Sequence, residues 1–174
     1  MLKKHRTKLF LAYLGLYFII LLYNVYQQES FVLDEGAHAI NSLFFEKYFS
    51  HFTLNVKNFI YKFYSFYSAL FLNEYPPLLA APLGVLYLFT GADIFVSRIL
   101  ISIFSIATLY LVYVIGEKVY NENVGIYSAV FLSTIPYFLE FSSLLMMEVP
   151  VLLFLLLCTY FLYKRKPIIL VTLL

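Results

Sequence analysis

Charged residues are scarce in this chain, and their scarcity decides which class of protein to expect. The 174 residues include 12 Lys and Arg and 10 Asp and Glu, so 13% of the chain is charged and 63% is hydrophobic. Soluble domains carry about a quarter charged residues. We therefore predict an integral membrane protein. The net charge of +2 is too small to indicate a nucleic-acid partner.

Cysteine is nearly absent as well. The one cysteine, Cys158, lies inside an apolar run. The chain therefore has no internal disulfide, and Cys158 has no second cysteine with which to hold a metal. We interpret it as a small hydrophobic residue that faces lipid or a neighbouring helix.

Long apolar runs are abundant, and four of them approach the length of a membrane-spanning helix. Basic residues precede the first run, which exceeds a typical signal-peptide core and lacks small cleavage-site residues after it. We therefore predict an uncleaved span with a cytoplasmic N-terminus. Pro136 should bend the third span, because proline lacks a backbone N–H. The predicted spans are 9–26, 99–115, 124–140 and 146–163, and another begins at 168 in the N-terminal part of a longer protein.

The apolar run at residues 76–89 decides the topology. It has 14 residues with three prolines, whereas a spanning helix needs about 20. If the run lies in the outer interface, eight of the 12 basic residues face the cytoplasm, against five if it spans. We therefore predict a multi-pass protein of the cell membrane in which residues 27–97 form a long outer loop.

This loop is rich in aromatic residues. A helical stripe of Phe59, Phe63, Phe66 and Leu70 within residues 56–71 predicts a helix that lies along the membrane surface. The alternative is a helix buried under another domain. The same topology puts Asp34, Glu35 and Glu148 together on the outer face.

The residues around each acidic side chain indicate whether it is a functional group or a solvated one. Apolar residues flank Glu148, and an ionisable group at the edge of a span is a functional hypothesis. The alternative is a helix-end carboxylate that the helix dipole stabilises. Asp34 and Glu35 taken alone fit a solvated loop. His38 lies one helical turn after Asp34 and is placed to orient or pair with it.

The order of several short motifs resembles a known family. A basic N-terminus and one span precede "DEGAHA" at residues 34–39, "EYPPLLAAPLG" follows at 74–84, and "MMEVP" lies at 146–150. This order resembles the polyprenyl-phosphate-sugar-dependent glycosyltransferases of the GT-C class, especially the protein O-mannosyltransferase and aminoarabinose-transferase group. The resemblance implies an all-α, polytopic membrane protein with a GT-C-like fold.

The resemblance also assigns roles to residues. It implies that Asp34 is the catalytic carboxylate that acts on the acceptor, with Glu35 beside it. Glu148 falls on a second acidic position, where many members have aspartate. Arg98 is a candidate phosphate contact or, equally, an anchor at the level of the lipid headgroups. The residues expected around the substrate are His38, Tyr75, Pro76, Pro77 and Arg98.

The implied reaction moves a sugar from a polyprenyl phosphate to a protein, lipid or glycan acceptor, and it needs a base for the acceptor proton. The leaving phosphate needs a basic side chain or a divalent cation. Carboxylates of Asp34, Glu35 and Glu148 would suit Mg²⁺, Mn²⁺ or Ca²⁺. The alternatives are a transporter segment, a lipid-handling scaffold or an inactive truncated homologue. Uncharged spans count against a transporter.

Overall fold

The computed structural model describes residues 2–28, 30–32, 34–68, 70–72, 74–75 and 77–165. Within these residues the chain forms α-helices and no β-strand, so the predicted all-α class is confirmed there. The expected span from residue 168 lies outside the described residues. The helices are α1 (Leu2–Gln27), α2 (Glu35–Ser50), α3 (Val56–Phe66), α4 (Pro77–Thr90), α5 (Ile94–Val119), α6 (Glu122–Thr134), α7 (Pro136–Phe141) and α8 (Glu148–Arg165).

Within the described ranges, two helices are long and apolar enough to cross a membrane. They are the segment His5–Gln27 of α1 and the whole of α5, and they cover the first two predicted spans. A helix of 26 residues such as α5 extends about 39 Å, which exceeds a hydrocarbon core of about 30 Å. α5 is also the centre of the fold, because it packs against α1, α6 and α8.

The contact between α5 and α6 depends on two glycines. A Cβ atom at Gly116 of α5 would lie 2.7 Å from the Cα atom of Gly125 in α6. Real side-chain carbons do not approach so closely, so neither position accepts a larger residue without a shift of the helices. Small residues of this kind let two helix backbones pack in direct contact.

The predicted third span at 124–140 is interrupted. α6 and α7 lie on either side of Ile135, whose backbone is extended with φ −68° and ψ 122°. The next residue is Pro136, which lacks an N–H and disfavours the helical conformation of the residue before it. The expected bend is therefore a complete break. The predicted fourth span at 146–163 overlaps α8, which is not among the described helices that are long and apolar enough to cross a membrane.

The remaining helices lie between the two long ones in the chain. α2 and α4 pack closely, since a Cβ atom at Gly84 would lie 2.9 Å from both the Ser42 carbonyl oxygen and the Glu46 nitrogen. α4 has 14 residues and is therefore about 21 Å long, shorter than the hydrocarbon core.

α3 forms where the aromatic stripe was predicted, but it is shorter than the stripe. The helix ends at Phe66, and the side chain of Asn55 caps its start by accepting a hydrogen bond from the Asn58 N–H. Phe63 is 7% exposed whereas Phe66 is 75% exposed. The stripe therefore divides, because the ring of Phe63 packs on Phe44 of α2 and Phe66 has no such neighbour within the described residues.

Candidate active site

The first residue of α2, Glu35, forms a buried ion pair with Arg98 of α5. Glu35 is 0% exposed and Arg98 is 1% exposed. Arg98 donates from Nε to Oε1 at 2.9 Å and from Nη2 to Oε2 at 2.6 Å. Two parallel N–H···O hydrogen bonds from one guanidinium group to both carboxylate oxygens make this a bidentate pair, the strongest arrangement of arginine with a carboxylate.

Backbone groups complete the buried ion pair. Arg98 also donates to the carbonyl oxygens of Gln28 at 2.6 Å and Ser30 at 2.7 Å. Glu35 accepts from the N–H groups of Leu145 at 2.6 Å and Val32 at 2.9 Å. The pair therefore joins the end of α1, the start of α2, the body of α5 and the segment before α8.

These contacts also decide the charge of Glu35. Burial raises the pKa of its carboxyl group, but the bonds from Arg98 and from the Leu145 and Val32 N–H groups outweigh burial, so the pKa lies below its ordinary value. Glu35 is thus an anion at neutral pH. Since Glu35 and Arg98 are both buried and bonded to each other, neither presents its charge to a substrate in this arrangement.

Asp34, one residue earlier, has the opposite surroundings. Its side chain is exposed. Asp34 occupies the N-cap position of α2 but its carboxylate makes no capping hydrogen bond, which is the usual task of an aspartate there. Its Oδ2 instead accepts a hydrogen bond from the Tyr75 hydroxyl at 3.3 Å. The carboxylate therefore remains accessible to a second molecule.

His38 lies behind this carboxylate on α2. Its side chain is 4% exposed, and its ring meets the Tyr75 ring edge-on at a centroid distance of 4.5 Å. Desolvation lowers the pKa of His38 and outweighs the charges of Glu148, Asp34 and Glu35, which raise it. His38 is therefore a neutral imidazole at pH 7.

Glu148 completes what we call the open site, defined as Asp34, His38, Tyr75 and Glu148. It is exposed and begins α8. The charge of Glu148 acts on His38 and also helps to raise the pKa of Tyr75, after desolvation and the charge of Asp34. The carboxylates at the N-termini of α2 and α8 thus both act electrostatically on His38 and Tyr75, and each helix dipole favours negative charge at its N-terminus.

The remaining predicted residues are less informative. Pro77 is exposed as the first residue of α4, and Pro76 lies outside the described residues.

No group of three His, Cys, Asp or Glu side chains within the described part of the chain is placed to hold a metal ion. The hydrogen bond from the backbone N–H of Leu145 to Glu35 could not be predicted from the sequence, because every residue other than proline has such an N–H.

Comparison with known proteins gives one result. Residues 74–165, more than half of the chain, match the family model for dolichyl-phosphate-mannose-protein mannosyltransferase. The matched segment contains Tyr75, Arg98 and Glu148, whereas Asp34 and Glu35 precede it. No curated protein and no solved structure matches the chain.

Proposed function

Because this chain belongs to the dolichyl-phosphate-mannose-protein mannosyltransferase family, we propose that it transfers a sugar from a polyprenyl-phosphate donor to an acceptor hydroxyl at the outer face of the membrane. One observation carries the proposal. Asp34 is an exposed carboxylate that performs no capping and lies within the open site. The acceptor is a protein, a lipid or a glycan.

In this proposal Asp34 is the general base. Its carboxylate takes the proton of the acceptor hydroxyl while that oxygen bonds to the anomeric carbon of the sugar. The bond between the anomeric carbon and the phosphate oxygen breaks, and its electron pair leaves with the polyprenyl phosphate. General base catalysis contributes about 10²- to 10⁴-fold to such a rate.

The other residues of the open site position this base and its substrate. The Tyr75 hydroxyl holds one oxygen of Asp34 and leaves the other for the acceptor. The neutral imidazole of His38 fixes the Tyr75 ring by edge-on contact. Glu148 provides the second carboxylate, which would bind sugar hydroxyl groups or a cation.

We further propose that Asp34 and Glu148 hold a divalent cation. Mg²⁺ is commonly held by one or two carboxylates together with the phosphate of a substrate, and Asp34 and Glu148 supply two. The cation would neutralise the leaving phosphate. Removing it with EDTA should lower transfer, and adding back Mg²⁺, Mn²⁺ or Ca²⁺ should restore it. Full transfer in EDTA would reject the cation but leave Asp34 as the base.

The proposed topology has a cytoplasmic N-terminus, with α1, α5 and the segment formed by α6 and α7 as spans and α4 in the outer interface. Single cysteines at positions 90, 118 and 148, introduced into a Cys158→Ser background, test it with a membrane-impermeant thiol reagent. We expect labelling from outside at 90 and 148 and protection at 118. Labelling at 118 with protection at 90 would show that α4 spans instead.

The function is tested by incubating the full-length protein with a polyprenyl phosphate that carries labelled mannose. We expect label to appear on an acceptor hydroxyl as lipid phosphate is released. Donor binding without transfer to any protein, lipid or glycan acceptor would favour the alternative, a non-catalytic protein that handles lipids.

A further inference from the structure

A groove of about 470 Å³ lies between the C-terminal half of α2 and α3. Its basic lining residues are Lys47, His51 and Lys62, and no acidic side chain lines it. Aromatic rings form the rest of the surface, including Phe63, Phe66 and Tyr67. We call this feature the basic groove. It combines positive charge with apolar rings, which is the combination that suits a charged group attached to a hydrocarbon chain.

The walls of the basic groove are held in place by aromatic packing. Phe44 of α2 meets Phe59 and Phe63 of α3 edge-on, at centroid distances of 5.4 and 5.3 Å. The ring of Tyr48 contacts Phe59 in the same way at 5.5 Å. Pairs of this geometry stabilise beyond their buried area. The packing of α2 on α3 therefore brings Lys47 and Lys62 to the lining of the same groove.

The groove carries an excess of positive charge. The Lys47 amino group lies 3.1 Å from the Glu46 carboxylate, so its charge is partly balanced. The Lys62 side chain is exposed and makes no ion pair with any described residue. A ligand phosphate between the two lysines would therefore supply the missing negative charge.

The surroundings of the groove indicate a bilayer surface. Tyrosines and phenylalanines on α2, on α3 and in the loop between them point outward from the packed rings. Such a concentration of exposed aromatic area marks an interaction surface, and amphipathic aromatic rings favour the headgroup level of a membrane. The exposed residues are Phe49, Phe52, Tyr61, Tyr64 and Phe66.

The groove is separate from the open site. Lys47 lies 13 residues after Asp34 along the chain, and both flank or belong to α2. At 1.5 Å per residue the two are about 20 Å apart. A phosphate held by Lys47 and Lys62 could not present its sugar to Asp34, so the ligand of the groove is not the sugar donor in its reacting position.

We propose that the basic groove binds the phosphate headgroup of an anionic phospholipid, whose acyl chains follow the exposed face at Phe66 into the bilayer. The bound lipid fixes the α2–α3 hairpin at the membrane surface and so sets the depth of the open site. This proposal does not depend on the transfer reaction.

The test measures lipid retention by native mass spectrometry of the full-length protein, reconstituted with phosphatidylglycerol and phosphatidylcholine. Lys62→Gln should reduce retention of phosphatidylglycerol about fivefold, since one lysine near an anionic surface contributes roughly that factor, and leave phosphatidylcholine unchanged. The matched control is Lys57→Gln on the same helix. Lys57 lies over the Tyr61 ring at 6.0 Å and does not line the groove.

Three results would overturn the proposal. Equal retention of phosphatidylglycerol in Lys62→Gln and the parent protein would show that the groove does not select an anionic headgroup. An equal loss in Lys57→Gln and Lys62→Gln would show general attraction between a basic helix and anionic lipid, without a site. Retention of added polyprenyl phosphate in preference to phosphatidylglycerol would assign the groove to the donor lipid instead.

Discussion

Asp34 and Glu35 are neighbours in the chain and have the same chemical group, but the fold gives them opposite surroundings. Asp34 is exposed, and its carboxylate accepts a hydrogen bond only from the Tyr75 hydroxyl among described partners. Glu35 is 0% exposed and holds Arg98 and two backbone N–H groups. The first carboxylate can change partners during a reaction, whereas the second cannot do so without breaking contacts between four parts of the chain.

Two neighbouring acidic residues can therefore have different roles, one in a structural ion pair and the other in a proposed reaction. α2 begins between them, and the N-cap residue Asp34 is exposed whereas the first helical residue Glu35 is buried. The buried ion pair fixes Leu145, which is three residues before Glu148. In the proposed reaction, Glu35 therefore positions both carboxylates of the open site and Asp34 acts as the base.

The strongest test of this division is Asp34→Asn. We expect the transfer rate to fall about 10²- to 10⁴-fold, because the amide cannot take the acceptor proton, with no loss of folded protein. The measurement is initial rate with labelled donor. Asp93→Asn is the matched control, since Asp93 is also an N-cap residue, of α5, and the variant should transfer at the parent rate.

Glu35→Gln should act on stability. Removing one partner of a buried ion pair leaves an uncompensated charge on Arg98 and costs about 3–5 kcal/mol. Thermal unfolding in detergent should show a large fall in the melting temperature. Glu74→Gln, a change at an exposed carboxylate, should leave it unaltered.

A double variant shows whether that loss belongs to the pair. Glu35→Leu with Arg98→Met should lose less free energy of unfolding than the two single changes together, because the apolar pair leaves no buried charge. Strict additivity would mean that Glu35 and Arg98 contribute separately.

Glu148→Gln tests whether the second carboxylate of the open site takes part in the transfer. Because Glu148 is exposed, the fold should persist, and we expect roughly a tenfold lower transfer rate from losing one charged hydrogen bond to the substrate or cation. Glu140→Gln changes another exposed carboxylate, in α7, and should have no effect. If both variants transfer at the parent rate, Glu148 lies outside the working site.

The smallest effect is expected for Tyr75→Phe. The ring keeps its contact with His38, but the hydrogen bond to Asp34 is lost, which should lower the rate roughly two- to tenfold. The change should appear in kcat more than in KM, since the bond orients the base. Tyr64→Phe, at an exposed tyrosine of α3, is the comparison, and equal rates for all three proteins would remove Tyr75 from the site.

Much of the fold could be predicted from local pattern. Uncharged runs predicted α1 and α5, since length and apolarity alone identify such helices. Pro136 predicted a change of direction, although only the structure shows that the helix stops completely. The stripe through Phe59, Phe63 and Phe66 predicted a helix but not its end, because the packing of Phe63 against α2 is a tertiary contact.

The candidate site was less predictable. Glu35 and Arg98 are 63 residues apart, and nothing in either neighbourhood indicates that they pair. From the sequence, Arg98 suggested a phosphate contact or a headgroup anchor, whereas its actual partners are Glu35 and two carbonyl oxygens. The approach of Tyr75 to His38 and Asp34 also needed the fold, since α3 packs back on α2 through ring contacts of Phe44 with Phe59 and Phe63.

One measurement tests the central claim most directly. Asp34→Asn and Glu35→Gln are purified side by side, and the rate of sugar transfer per folded molecule is compared with the melting temperature of each. We predict that Asp34→Asn keeps the parent melting temperature and loses transfer, while Glu35→Gln loses stability first. An Asp34→Asn protein that is folded and transfers sugar at the parent rate would contradict the role of Asp34 as the catalytic base.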